Sequence, residues 1–416
     1  MSESRRGMLG KLGLVFGYVG PGLFLIGYNI GTGSVTTMAS AGSRYSMSLF
    51  WLLVLSCAFT WIMIVAYGKF TAVSGQTAMW AYRQHLPLGS ALAAYTIVGM
   101  SLGAMAGIAG VMAIVADMIH EWTAVLFGFG FSRLWTAVVI LSICYFLLWF
   151  GKYPMFEKFL VVLVVVMGVS FSLSLFMVIP EPGTVLAGLV PGVPDEENAF
   201  LIMSAIAGTT SGALLFVMRS LLVAEKGWSV KDLRHKNIDA AVSVVLMLLI
   251  SGAIMACAAG TLYRMGVPVE RAVDMVATLE PIAGRFAMSV FVTGIIGAGV
   301  SSIFPVAVVL PWLISDFRNT SRDPRSAMFR ALGGFALACG LIVPVFGGRP
   351  VWVMIGATAF QTTMMPIVSL AILVLVNRRD LMGPHKAGFW LNAGIGANVV
   401  FSFAIAWLGI RGLLGM

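Results

Sequence analysis

Eleven apolar stretches, each near the ~20 residues a helix needs to cross a bilayer, run through the chain at 13–41, 48–72, 88–118, 133–151, 156–179, 198–223, 238–263, 284–312, 327–346, 351–376 and 388–412. That pattern leaves one class of fold. In hydrocarbon each backbone N–H and C=O must be satisfied within its own segment, so the chain is expected to be an all-α integral membrane protein with eleven transmembrane helices. Composition agrees: 59% of the 416 residues are hydrophobic and 10% charged, with a mean hydropathy of +0.97. The first stretch is too long for the apolar part of a signal peptide, and no small-residue cleavage site follows it, so it is expected to be retained.

Two stretches are interrupted. Span 1 contains GYNIGTGSVTT (Gly27–Thr37), with three glycines and five side-chain hydroxyls, and span 6 contains Gly208-Thr209-Thr210-Ser211-Gly212. Glycine costs about 1 kcal/mol relative to alanine inside a helix, and a freed backbone group in hydrocarbon costs several more unless something satisfies it. Small residues by themselves can serve close helix packing. Interruptions five spans apart, however, match transporters built from inverted repeats, whose paired broken helices line a midplane site with released backbone. On that reading the chain is one transporter domain, with repeat one over about 13–179, repeat two over about 198–376, and an additional helix at about 388–412. The expected substrate-binding residues are Tyr28, Asn29, Gly31, Thr32, Ser34, Thr209, Thr210, Ser211 and Gly212, with Gln361 of span 10 lining the pathway just before Pro366.

The net charge of +9 does not imply nucleic acid, because the basic residues follow the membrane. With the N-terminus inside, inner segments hold 18 Lys and Arg and outer segments 7. The positive-inside rule then gives a cytoplasmic N-terminus and, with an odd span count, an extracytoplasmic C-terminus in the cell (inner) membrane. The expected partners are the lipid bilayer and a small solute or ion, the protein being monomeric.

Cys57, Cys144, Cys257 and Cys339 each stand alone in an apolar run, and His85, His120, His235 and His385 lie at span ends or in loops. Neither set has metal-ligand spacing, and no cofactor is expected. No HExxH, intramembrane aspartate pair or nucleophile–base pairing is present, so an enzyme is not expected. Arg219 is the one charge well inside a span. It is either a fixed charge on the pathway, as a gate or an anion anchor, or a side chain that snorkels inward or pairs with Glu225. Asp117 and Asp239 stand near expected span ends.

GPGLFLIGY (20–28), SLFW (48–51), GTVLAGLVPGVP (183–194), NIDAAVS (237–243), GIIGAGVSS (294–302) and NRRDLMG (377–383) occur in that order. On these segments the sequence resembles the Nramp family of divalent metal transporters over nearly its whole length. The resemblance implies a LeuT-type 5+5 inverted repeat with helices 1 and 6 broken, as in the amino-acid and amine symporters. It also exposes departures. Where the family has DPGN, supplying an aspartate and an asparagine to the metal, this chain has Gly31, Thr32, Gly33 and Ser34. The family's MPH is matched by Gly212, Ala213 and Leu214, so its methionine sulfur is missing. The two span 3 acids used in proton movement are matched by Gly107 and Gly110, and the following span 6 histidine by Arg219.

None of the usual transition-metal ligands is therefore present at those positions, and a Mn or Fe site of the usual kind is excluded. Magnesium keeps several waters when bound, and a neutral oxygen pocket suits a hydrated ion. The sequence is similar to a divergent branch of the family that carries magnesium with altered motifs. The expected function is transport of a small cation, magnesium favoured over manganese and iron, by alternating access and without proton coupling. The alternatives are transport of a small polar organic solute such as an amine or amino acid, and a non-transporting sensor on the same fold.

Overall fold

A computed structural model describes residues 31–150, 168, 181–196, 198–278 and 286–415. Among these, eight helices are long and apolar enough to cross a membrane, and they correspond to expected spans 2, 3 and 6 to 11. Span 4 is the shorter apolar helix Arg133–Trp149. The first half of span 1, with Tyr28 and Asn29, and nearly all of span 5 lie outside the described residues.

In chain order the main helices are α1 (Thr32–Tyr45), α2 (Phe50–Ser74), α3 (Ala78–His85), α4 (Gly89–Phe127), α5 (Arg133–Phe150), α6 (Ala199–Thr210) and α7 (Ala213–Glu225). Then follow α8 (Leu233–Ala258), α9 (Ala287–Ala307), α10 (Val309–Arg318), α11 (Ala327–Ala338), α12 (Pro350–Gln361), α13 (Met365–Leu375) and α14 (Phe389–Leu413). The second half of span 1 (α1) and span 6 (α6 and α7) are the most buried helices. α1 packs on α8, α6 on α12 and α14, and α4 on α12 and α9. Small residues set these approaches. A Cβ on Gly208 would lie 1.9 Å from the Thr358 carbonyl oxygen of α12, and one on Gly42 2.2 Å from the Met255 carbonyl oxygen of α8.

Span 6 is not one continuous helix. α6 ends at Thr210, Ser211 (φ −120°, ψ 32°) and Gly212 (φ −63°, ψ 138°) leave helical geometry, and α7 starts at Ala213. One released carbonyl is met from the side, where Thr60 Oγ1 of α2 donates to Thr210 O at 3.0 Å. This is the compensation that broken backbone needs in a membrane. In span 1, helix begins at Thr32, with Gly31 extended (φ −93°, ψ −173°) ahead of it.

Candidate functional site

The start of α1 and the α6–α7 interruption face the same space. With α4, α9 and α12 they enclose a cavity of about 60 Å³, as traced by the centre of a water-sized sphere. One water needs about 10–15 Å³ on that scale, so there is room for several. Gly31, Gly33 and Ser34 enter from α1, Gly208, Thr209 and Gly212 from span 6, and Gly107 from α4. α12 contributes Met354, Thr358 and Gln361, whose i, i+4, i+7 spacing puts them on one helix face. Among the described residues, no acidic, basic or imidazole side chain is in the lining, and none forms a cluster of three or more His, Cys, Asp or Glu suited to a metal.

Polar groups divide by whether they are free to bind. Ser34 Oγ shares a hydrogen bond with Ser251 Oγ at 3.2 Å. Thr358 Oγ1 is committed to Ile355 O at 2.9 Å. Among the described residues, Thr209 and Gln361 line the cavity with no side-chain hydrogen bond to protein. Three other expected site residues do not line it. Thr210 Oγ1 turns back onto Ile206 O at 2.6 Å. Thr32 Oγ1 lies toward α9, where a Cβ on Gly299 would meet it at 3.2 Å. Ser211 Oγ is buried and unpartnered nearby. Gly110 is also outside the lining, packed on the backbone of Met354, whereas a Cβ on Gly107 would meet nothing within 4 Å. Met354 was not foreseen. It brings a thioether to the cavity from span 10, although the span 6 position that carries sulfur in the family has none.

Arg219 lies seven residues beyond Gly212, roughly 10 Å along α7, and its partner is Asp239, not Glu225. Arg219 Nη1 donates to Asp239 Oδ2 at 2.6 Å with both side chains 0% exposed. Nη2 donates to Lys236 O at 3.1 Å, and the guanidinium stands 5.5 Å from the Trp228 ring centre. Beside this pair, the buried Lys236 Nζ donates to Val65 O at 2.9 Å. Arg219 thus neither snorkels nor faces the cavity; it clasps α7 to α8. Asp117 is not at a helix end, since α4 runs on to Phe127, and it pairs with Arg133 Nε at 2.7 Å.

A second clasp lies beyond the other end of α8. Arg44, in the last turn of α1, pairs with Glu270 Oε1 and stacks 5.0 Å from the Trp352 ring centre. Trp352 Nε1 donates to Glu270 Oε2 at 2.9 Å. The Trp352 hydrogen bond, and then Arg44, hold the Glu270 carboxyl below its ordinary range. A depressed carboxylate adds stability that is present above the unfolded value, about 4.3, and fades as the pH falls through the folded one. The unfolding temperature of the native protein should therefore exceed that of Glu270→Gln at pH 6, with the difference closing toward pH 3. A difference that is constant across that range would remove the carboxylate from the clasp.

An interrupted helix thus borders a water-sized cavity within a bundle of helices long and apolar enough to cross a membrane. Residues 22–411 match the family model described as Natural resistance-associated macrophage protein-like, Nramp. The divalent metal cation transporter MntH of Deinococcus radiodurans is 22% identical over 391 residues, covering 91% of this chain and 86% of that one. MntH of Klebsiella pneumoniae is 23% identical, covering 100% and 98%. The crystal structure of the Eremococcus coleocola manganese transporter superposes with a TM-score of 0.73 at 14% identity, covering 95% of this chain and 86% of that one. Mhp1, a nucleobase-cation-symport-1 family transporter, does so at 0.58 and 15% identity, covering 96% of each. The chain belongs to the Nramp family.

Proposed function

We propose that the protein carries a divalent cation together with part of its water shell, magnesium ahead of manganese and iron, by alternating access of two five-helix repeats and without obligatory proton movement. The observation that supports this is a cavity with room for several waters and, among the described residues, no ionisable side chain in its lining. Six waters at the ~2.1 Å magnesium–oxygen distance place their centres on a sphere of roughly 40 Å³, which compares with the 60 Å³ traced there. Waters on a dication point their hydrogens outward, and the C-terminal end of α6 around Gly208 and Thr209, with Ser34 and the Gln361 amide oxygen, offers acceptors. A helix C-terminus also favours positive charge. Among the described residues no titrating group lines the cavity, so none of them would carry a coupled proton beside the substrate.

A second reading has its own support. The N-termini of α1 and α7 border the same cavity, and helix N-termini receive carboxylates in transporters of this architecture. An amino acid would use them.

In sealed proteoliposomes with an internal pH dye, magnesium uptake at equal pH should proceed without acidifying the lumen. Thr209→Val and Gln361→Leu should each weaken uptake several-fold, since a lost hydrogen bond costs about 0.5–1.5 kcal/mol, and the double variant more. Met354→Leu, which keeps volume and removes sulfur, should spare magnesium. Lumen acidification would end the uncoupled reading, and loss of manganese flux confined to Met354→Leu would make the thioether a ligand. Thermal stabilisation by an amino acid, with indifference to magnesium, would establish the second reading.

A further inference from the structure

A second cavity, of about 460 Å³, opens between α5 and α11, away from the transport site and lined by Leu141, Tyr145, Trp149, Gly334, Leu337 and Leu341 among others. Gly334 belongs to its wall, since a Cβ there would stand 2.9 Å from the Tyr145 ring. From Val138 to Trp149 along α5 the groove covers eleven residues, roughly 16 Å at helical rise. That is the depth of one leaflet of a ~30 Å hydrocarbon core.

Its end is charged. The Arg330 guanidinium stacks 3.9 Å from the Trp149 ring centre, Nη2 donates to Trp149 O at 3.5 Å, and Nε is buried with no partner. Among the described residues no carboxylate is within ion-pair distance of it. The loop that leads into α11 is basic in sequence, with Arg318, Arg322 and Arg325 against one acid, Asp323, although Arg322 lines a separate pocket with Asp316. Trp149 has the place that tryptophan takes at a membrane interface, and a basic pocket between helices at that level recognises anionic headgroups.

We infer that this groove holds an anionic phospholipid of the phosphatidylglycerol type, its phosphate on Arg330 and one acyl chain along Tyr145, Leu337 and Leu341. Charge complementarity selects the lipid. A choline or ethanolamine ammonium beside Arg330 is repelled, whereas a headgroup with only negative charge is not. The ligand fills the groove beside the contact of α5 with α11, where Gly334 packs on Tyr145.

The test uses delipidated protein in detergent, titrated with phosphatidylglycerol or with phosphatidylcholine of the same chains. Phosphatidylglycerol should raise the unfolding temperature by several degrees and phosphatidylcholine by much less, and native mass spectra should retain one phosphatidylglycerol per chain. Arg330→Gln should erase both the preference and the retained lipid, while Arg330→Lys keeps part of each. Ser142→Trp, on the groove lip with the charge intact, should lose the retained lipid as well. Equal stabilisation by the two lipids overturns the inference, as does an unchanged preference in Arg330→Gln. Should Arg330→Gln not fold, Ser142→Trp and the two-lipid comparison on native protein still decide. A water-soluble glycerophosphoglycerol that matches the intact lipid would mean an anion site without a chain, and would also overturn it.

Discussion

Asp239→Ala should lower stability by about 3–5 kcal/mol, the usual cost of removing one member of a buried ion pair. The carboxylate is fully buried against Arg219, and the arginine Nε already lacks a partner, so nothing nearby replaces the lost charge. The comparison that identifies the cause is Arg219→Met with Asp239→Leu. An apolar pair of similar volume is often neutral or better than a buried ion pair, so the double variant should unfold well above Asp239→Ala. A double variant no more stable than the single one would place the cost in helix packing rather than in the stranded charge. The clasp joins α7 to the start of α8, and the Arg44–Glu270–Trp352 clasp joins α1 to the loop beyond the far end of α8 and to α12. α1 and α7 are also the helices whose first residues border the cavity. One clasp therefore holds the middle of α7 and the other the far end of α1, both helices that begin at the cavity.

Hydropathy made the spans legible, and its errors have local causes. α4 runs to Phe127 instead of 118 because no glycine or proline interrupts it before Gly128, which ends it at φ 76°. Span 10 reads as one apolar run, yet tightens into a 3₁₀ turn at Thr362–Met364 between α12 and α13. Pro366 accounts for that, having no N–H to bond the carbonyl of Thr362 four residues back. The interruption in span 6 was legible because glycine and hydroxyls in hydrocarbon demand an explanation. Which hydroxyls face the cavity was not. Serine and threonine within helices bond back to carbonyls three or four residues earlier, as Thr210 and Thr358 do, and composition does not reveal which ones are so occupied. Arg219 stood out as an isolated charge, but its partner twenty residues away across a helix junction followed only from the packing of both α7 and α8 on α2. Met354 was hidden among 26 methionines. Its spacing of seven from Gln361 was the available signal.

Gly107→Asp should convert this cavity into one that binds divalent cations more tightly and releases them to acid. Of the two span 3 positions that carry acids in the family, only this one can accept a side chain. A Cβ at Gly107 meets open space, while one at Gly110 would stand 3.0 Å from Met354 Cα and 3.1 Å from its N, backbone atoms that cannot yield. The helix itself loses nothing, since glycine is the poorer helix former. A carboxylate about 5 Å from a dication attracts it by roughly 7 kcal/mol at an effective dielectric of 20. Desolvating the carboxylate cancels much of that, but a residual of about 1.4 kcal/mol already gives tenfold. Proton and metal then compete for one group, so the affinity gained at high pH is lost as the pH falls through the range where the new acid protonates, and binding releases a proton that the native protein does not release. Calorimetry in two buffers of different ionisation enthalpy would count that proton. Gly110→Asp should instead fail to reach the membrane folded. Unchanged divalent affinity in Gly107→Asp at every pH would mean that the cation does not pass this cavity, and weaker binding of an amino acid in the same variant would identify the substrate as the organic one.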